Sequence, residues 1–271
     1  MGDEAVVGNY SAEGLAGAVL EKAAAVAGSA PLGVEHLALF DELHMGGRLA
    51  TAQVAEALTV GHGGRVLDVG SGMGGPARSV ATRLGPHVTG VDLTPVHVEA
   101  AQTLSDRVGL SGITTFQVGD ATDLTFEDAT FDAAMMLFVG MNVPAKAAVF
   151  SEVHRVLVPS GTFVVYDPMR TGPAQPDFPV PWAAGPDASF LATVEEYRSL
   201  LTEAGFTVEE EHNLAGLVEQ LRQRQTEGEV AGQQEMMSAW FDSEGPVRFR
   251  NIASAIREGV VEPRLMVARR R

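Results

Sequence analysis

The chain has 271 residues, of which 45% are hydrophobic and 20% charged, and its formal net charge is −16 at pH 7. This length allows one large domain or two small ones. The acidic charge argues against nucleic acid or an anionic membrane as a partner, because both require basic patches. Without cysteine, disulfides, thiolate metal sites and cysteine nucleophiles are excluded. The N-terminus lacks the basic start of a signal peptide, and no apolar run approaches the roughly 18 residues of a membrane span. We therefore expect a cytoplasmic protein, whose oligomeric state the sequence does not indicate.

The first part of the chain is predicted to be helical. Residues 1–33 are rich in Ala and Gly with few large apolar groups, and we predict a helical arm or lid there, followed by one domain over residues 34–271. Apolar residues recur at helical spacing over residues 34–58, and Gly46 and Gly47 interrupt them. This pattern predicts two helices with a break at the glycine pair.

Short β-branched runs then alternate with segments of helical periodicity. The predicted strands are Arg65–Val69, His87–Asp92, Thr114–Val118, Phe131–Leu137 and Thr162–Asp167. Strands that alternate with helices indicate an α/β fold, with a mostly parallel sheet and helices on both faces.

The C-terminal part has a different pattern. We predict a helix over Val194–Ala204, a strand over Phe206–Glu211 and a last strand over Glu262–Ala268. Residues 214–258, between the two strands, are polar, helical and poor in strand formers. We expect this insertion to form a helical lid.

A glycine-rich turn follows the first strand and precedes a helix, an arrangement in which absent side chains let the backbone approach a ligand. Two patterns fit it. Gly70, Gly72 and Gly75 match the dinucleotide pattern G-x-G-x-x-G, whereas Asp68, Gly70, Gly72 and Gly74 match D-x-G-x-G-x-G. The first pattern indicates a nicotinamide or flavin enzyme, and the second an S-adenosylmethionine (SAM) enzyme.

Asp68 favours the second interpretation. A dinucleotide places its pyrophosphate on this turn and on the following helix N-terminus, where a carboxylate would repel it. SAM has no phosphate, and it carries an ammonium and a sulfonium. A carboxylate at the turn is therefore attractive for SAM.

Acidic residues also follow the second and third predicted strands, at the sheet edge where ligands bind in parallel sheets. Asp92 can accept hydrogen bonds from both ribose hydroxyls, and Leu93 can press on the adenine. Asp120 can accept from the adenine amine, while the small Ala121 leaves room for the ring. A ribose carboxylate suits SAM and NAD equally, but an acid at position 120 is less expected for NAD.

Together these residues resemble the class I SAM-dependent methyltransferases over roughly residues 35–268. Within that class, the segments 43–47 and 141–144 and the late helical insertion resemble the small-molecule methyltransferases of the sarcosine/dimethylglycine and natural-product type. The resemblance implies a Rossmann-like, seven-stranded sheet with an antiparallel last strand. It also implies a set of cofactor-binding residues: Asp68, Gly70, Ser71, Gly72, Gly74, Asp92, Leu93, Asp120, Ala121 and Phe138. His44 and Asn142 would lie near the methyl group and the substrate, as the candidate catalytic residues.

The segment around Phe138 departs from the narrower pattern, in which a histidine is common. Residues 135–140 contain no titratable side chain, so they are predicted to form an apolar wall. Tyr166 and Asp167, at the end of the fifth strand, and Trp182, in a proline-rich loop, are candidate substrate contacts. We expect His97 on the outer face of its helix, and no metal, because no His, Asp and Glu grouping has ligand spacing.

These features predict methyl transfer from SAM to a small-molecule acceptor at N, O or activated C, by in-line displacement that leaves S-adenosylhomocysteine (SAH). The protein would mainly hold donor and acceptor in line, and His44 is the first candidate to assist deprotonation. Two alternatives stay open. One is a methyltransferase-like protein that uses its pocket for cyclisation or ligand binding. The other is an NAD-dependent oxidoreductase.

Overall fold

The computed structural model describes residues 14–226 and 244–271. Its centre is a seven-stranded sheet in the order β3-β2-β1-β4-β5-β7-β6, in which every neighbouring pair is parallel except the two that β7 makes. The strands are β1 (Arg65–Val69), β2 (His87–Asp92), β3 (Thr114–Val118), β4 (Phe131–Leu137), β5 (Leu157–Arg170), β6 (Phe206–Asn213) and β7 (Val261–Arg270). The predicted fold class, including the antiparallel last strand, is confirmed.

Helices cover both faces of the sheet. They are α1 (Leu15–Ala27), α2 (Val34–Asp41), α3 (Gly47–Ala57), α4 (Gly75–Leu84), α5 (Pro95–Arg107), α6 (Lys146–Val156), α7 (Val194–Glu203), α8 (Ala215–Thr226) and α9 (Gly245–Arg257). On one face α3 and α4 bury Val54 and Val80 against the sheet. On the other face α6 and α7 bury Phe150 and Tyr197. None of the described helices is both long enough and apolar enough to cross a membrane.

The first four strands have the predicted bounds, whereas β5, β6 and β7 are longer than predicted. Strands β5 and β7 pair antiparallel from Thr162 with Arg269 to Arg170 with Val261. This pairing extends β5 beyond Asp167 and starts β7 at Val261, a tertiary effect that the local residue pattern does not show. Residues 157–161 of β5 lie outside this pairing, and there Leu157 pairs with Phe131 of β4. The break between α2 and α3 lies where the glycine pair predicts it, because Gly46 is in the left-handed region (φ 83°) and α3 begins at Gly47.

The predicted arm and lid are described only in part. Residues 1–13 and 227–243 lie outside the described residues. Helix α1 is docked rather than free, because its Leu15 and Val19 are buried in a cluster with residues of α2 and α5 such as Phe40 and Leu104. The described parts of the insertion are the helices α8 and α9.

Candidate active site

A cavity of about 680 Å³ lies at the edge of the sheet where β1 to β4 end. One side is formed by the loops after β1, β2 and β3. The opposite side is formed by the loop after β4, the loop that carries Trp182, and apolar residues of α8 and α9 such as Val218 and Ile252. The described part of the predicted lid therefore lines the cavity. No residue of α1 is among the lining residues that the structure describes.

The glycine turn needs its glycines for two different reasons. Gly70 and Gly72 both have positive φ values, 70° and 51°. A side chain at Gly70 would collide with Val139, whereas a side chain at Gly72 would meet nothing within 4 Å. Gly70 thus allows close packing inside the protein, and Gly72 leaves free space in front of the turn. Gly74 does not line the cavity, and instead it begins α4 in a left-handed conformation (φ 76°).

Asp92 connects the end of β2 to this turn. Its Oδ2 accepts a hydrogen bond from the amide of Gly72 (2.8 Å) and its Oδ1 accepts from the amide of Thr94 (2.9 Å). Burial alone would raise the pKa of Asp92, but the hydrogen bond and charge of His97 and the two amides outweigh it, so the pKa lies below its usual value. The carboxylate is therefore ionised at neutral pH at the cavity wall.

The prediction for His97 is wrong. Its ring is buried, lines the cavity and lies 3.4 Å (Nδ1 to Oδ1) from Asp92. The sequence does contain the relevant signal. Pro95 marks the first turn of α5, and a residue in that first turn lies close to the strand end that precedes the helix.

Asp68 does not face the cavity, although the sequence argument expects its carboxylate to attract a cationic cofactor there. Its side chain is buried beneath the turn and is not among the residues that line the cavity. Burial, reinforced by the negative charge of Asp92 and opposed by Arg78, raises the pKa of Asp68 to about 8. A mainly neutral carboxyl does not attract a cation by charge. The electrostatic argument from Asp68 therefore does not hold, although its hydrogen-bonding capacity remains.

Asp120, Ala121 and Leu93 all line the cavity, on the side formed by β2 and β3. Asp120 is exposed, and its Oδ1 accepts hydrogen bonds from the amide (2.8 Å) and the hydroxyl (2.7 Å) of Thr122. These bonds fix the carboxylate at the mouth of the loop. Leu93 is 37% exposed, unusual for a large apolar side chain, and so it offers a free apolar surface to a ligand.

The loop after β4 is held in a strained conformation. Phe138 lines the cavity with a φ of 58°, in the left-handed region that bulky residues rarely adopt. The amides of Val139 and Gly140 donate to the two carboxylate oxygens of Asp167 (2.9 and 3.1 Å), and the Tyr197 hydroxyl donates to the same group (2.7 Å). This buried network holds the backbone of the two residues that follow Phe138, and so it stabilises the strained conformation.

The structure does not place Tyr166 and Asp167 for direct substrate contact. Both are fully buried, and neither lines the cavity. The Tyr166 hydroxyl donates to the carbonyl of Met45 (2.8 Å), so the ring supports the segment between α2 and α3. Burial, opposed by the Tyr197 hydrogen bond and the charge of Lys146, raises the pKa of Asp167 to about 6. Both residues support the cavity wall from inside the protein.

Asn142 and Trp182 do line the cavity. The Oδ1 of Asn142 is buried and has no hydrogen-bond partner among the described residues. Trp182 is buried, and its indole nitrogen donates to Ser189 (3.0 Å), which orients the ring. Within the described ranges no group of three or more His, Asp or Glu side chains is placed to hold a metal ion.

His44 also lines the cavity, in the segment between α2 and α3. Its ring lies 6.0 Å from the rings of both Phe138 and Tyr166, measured between centroids. Burial, opposed by a hydrogen bond to the carbonyl of Gly47, lowers the pKa of His44 to about 4. The imidazole is therefore neutral at physiological pH, the state in which it can accept a proton.

Comparison with known proteins identifies the part of the chain that forms most of the sheet. Residues 67–165, from β1 to β5, match the family model of a methyltransferase domain. Together with the sheet order and the glycine turn, this match identifies a class I SAM-dependent methyltransferase domain, as the sequence resemblance predicted. The dinucleotide interpretation of the turn is not supported.

Particular relatives are known in sequence and in structure. The sterol 24-C-methyltransferase erg-4 of Neurospora crassa is 30% identical over 201 residues, which are 72% of this chain and 52% of that protein. The chain spans about half or less of the length of the curated relatives it matches. The structure of the [4+2]-cyclase SpnF aligns with a TM-score of 0.69 at 23% identity, covering 94% of this chain and 92% of the other. A geranyl diphosphate C-methyltransferase from Streptomyces coelicolor A3(2) aligns with a TM-score of 0.72 at 16% identity, covering 100% and 98%. At these identities both structures establish the fold alone.

The residues around the turn fit SAM. The space in front of Gly72 is open. The Ser71 Oγ atom belongs to a residue that lines the cavity and has no hydrogen-bond partner among the described residues, so a polar group is available for a ligand. The Asp68 Oδ2 atom is also unpartnered, but it lies behind the turn. Asp92 adds an ionised acceptor at the adjacent strand end. A ribose diol would donate to this carboxylate.

Proposed function

We propose that the protein transfers a methyl group from SAM to a small, neutral and largely hydrocarbon acceptor. One observation carries the proposal: a single cavity joins the turn and strand-end acids to an apolar wall. In this assignment the turn from Gly70 to Gly72 holds the methionine end, Asp92 the ribose, and Asp120 with Ala121 the adenine. When bound, SAM supplies an activated methyl group on a sulfonium.

The nature of the acceptor follows from the side chains on the far side of the cavity. Phe138, Met141, Trp182 and Ile252 present apolar surface there. Among the described lining residues, Arg257 is the one Lys or Arg side chain. A single exposed arginine is a poor counterpart for a diphosphate, which several cationic groups normally neutralise. A neutral lipid-like molecule fits better, and the sterol methyltransferase named above supports that class.

The chain's own contribution is to orient the acceptor and exclude water. The network of Asp167 and Tyr197 holds the backbone next to Phe138, and the buried Trp182 and the helices α8 and α9 cover the cavity. Holding two reactants in line lowers the barrier by removing translational and rotational freedom in advance. Methylation of a neutral acceptor also creates a positive charge, which is relieved by loss of a proton, and His44 is a neutral base that lines the cavity on the side of the apolar wall.

The test has two stages. Calorimetry is expected to show binding of SAH and no binding of NAD. Next, the protein is incubated with methyl-deuterated SAM and a neutral lipid extract from the producing cells, and labelled products are sought by mass spectrometry. A labelled lipid supports the proposal. Tight SAH binding without any labelled product contradicts it, and a product of unchanged mass in that experiment favours the cyclisation alternative.

A further inference from the structure

Three buried side chains extend from the cavity into the protein as a hydrogen-bonded chain. The Nε2 of His44 lies 3.0 Å from the hydroxyl oxygen of Thr51 on α3. That hydroxyl donates to Oε2 of Glu42, just after α2, at 2.6 Å. His44, Thr51 and Glu42 are 7%, 2% and 1% exposed. Of the three, only His44 lines the cavity.

The partners of His44 define its tautomer. Its Nε2 lies 3.2 Å from the carbonyl of Gly47, which can only accept a hydrogen bond. Because the Thr51 hydroxyl proton is directed to Glu42, the Thr51 oxygen accepts as well. Nε2 therefore carries the proton. Nδ1 makes no hydrogen bond within the part of the chain that the structure describes, and it is the ring nitrogen available to a molecule in the cavity.

We propose that His44, Thr51 and Glu42 form a proton relay that removes the proton from the methylated acceptor, an inference that rests on the proposed function. The acceptor proton moves to Nδ1 of His44, and the electron pair of that bond stays with the product. The Nε2 proton moves to the Thr51 oxygen, and the Thr51 hydroxyl proton moves to Oε2 of Glu42. The cationic product and the carboxylate both become neutral, and His44 ends as the other neutral tautomer.

The surroundings favour this outcome over an imidazolium ion. Burial makes a charged His44 costly, in agreement with its lowered pKa. Burial raises the pKa of Glu42 to about 7, in spite of the hydrogen bonds from Ser79 and Thr51. Among charged neighbours, Asp41 raises that pKa and Arg48 lowers it. The carboxylate is thus a better final site for the proton than the histidine ring.

The other charged groups around the cavity do not replace the relay. Asp41 is engaged by the buried Arg78 (2.6 Å), and Asp92 lies on the cofactor side. Glu219 and Arg257 line the cavity from α8 and α9. None of them is hydrogen-bonded to His44 among the described residues, so only the Glu42 carboxylate is connected to it.

The test compares three variants on the neutral lipid that becomes labelled by methyl-deuterated SAM. Thr51→Val keeps the side-chain shape but breaks the relay, and we expect kcat to fall at least about a hundredfold, the low end of a general-base effect. Thr51→Ser restores a hydroxyl and is expected to recover most of the rate. Ser79→Ala is the matched control, because it removes another 2.6 Å hydrogen bond to Glu42 without touching His44.

In all three variants the KM for the lipid and the Kd for SAH are expected to stay within about twofold of wild type, since none of these side chains lines the cavity. The kcat of wild type is expected to rise with pH through the range in which Glu42 ionises, and Glu42→Gln is expected to lose that dependence. At a pH above the range in which Glu42 ionises, a wild-type kcat in Thr51→Val, or an equal loss in Ser79→Ala, would overturn the relay.

A measurement without acceptor separates this inference from the proposed function. Heteronuclear NMR of the SAH complex is expected to show a neutral His44 with its proton on Nε2. A proton on Nδ1 overturns the relay even if methyl transfer occurs. If wild type transfers no label to any lipid, the proposed function fails. The NMR result alone then decides whether the proton of His44 lies on Nε2, as the hydrogen-bonded chain requires.

Discussion

The replacement of Asp92 by alanine tests the cofactor assignment most directly. The Oδ2 atom accepts from the amide of Gly72 and keeps a second lone pair for a ribose hydroxyl, whereas Oδ1 is already engaged by the amide of Thr94 and by His97. A hydrogen bond to a charged group contributes about 1.5–3 kcal/mol, so losing the bond to the ribose costs at least about 1.5 kcal/mol. With about 1.4 kcal/mol for each factor of ten, the Kd for SAH is expected to rise at least about tenfold.

The assay is calorimetric titration with SAH, accompanied by circular dichroism and a thermal melt. The matched control is Asp132→Ala, because Asp132 at the start of β4 also accepts a backbone hydrogen bond (2.7 Å, from the amide of Arg65) but lies at the opposite end of the strands. The control is expected to lose some stability and to keep its SAH affinity. A folded Asp92→Ala protein with the affinity of wild type would refute the ribose assignment.

Three further predictions concern stability and the support of the site. Tyr197→Phe removes a hydrogen bond to the buried Asp167 carboxylate, so the free energy of unfolding is expected to fall by about 1–3 kcal/mol while SAH affinity is kept; denaturant titration without such a loss would contradict the network. The pKa of Asp68 is raised in the folded state, so its stabilising contribution is present at low pH and is lost as the pH rises towards about 8. Asp68→Asn is therefore expected to flatten the fall of the melting temperature over that range, and an unchanged pH profile would count against the buried neutral carboxyl. Gly70→Ala is expected to lower the melting temperature more than Gly72→Ala, because both place alanine at positive φ but only the first also meets a neighbouring side chain; equal losses would be evidence against that close packing.

Much of the sheet could be predicted from the sequence, because the first four strands are short, apolar and bounded by turns. Their ends depend on local residues. The C-terminal end of β5 and the start of β7 depend on each other, since residues 168–170 of β5 pair with residues 261–263 of β7. A partner distant in sequence leaves no local trace in the residue pattern.

The sequence predicts which edge of the sheet carries the site, but not which side chains point into the cavity. Asp92 and Asp120 do line the cavity, whereas Asp68 and Asp167 are buried behind it. All four carboxylates lie at or near strand ends, so the same argument had selected them all. Successive side chains of a strand point to opposite faces, and which face receives a given carboxylate depends on packing that a single sequence does not reveal. His97 is different, because it lies in the first turn of α5, and Pro95 marks that turn in the sequence.

The position of β7 has a consequence for the order in which the chain assembles during synthesis. Strand β6 is at the edge of the sheet, and β7 is its one neighbour there. It therefore has no place in the sheet until β7 has left the ribosome and inserted between β5 and β6. Helices α8 and α9 lie between β6 and β7 in the chain, so these two strands anchor their ends. The part of the protein that contains β1 to β5 can fold first, and α8 and α9 are fixed over the cavity only after β7 has inserted.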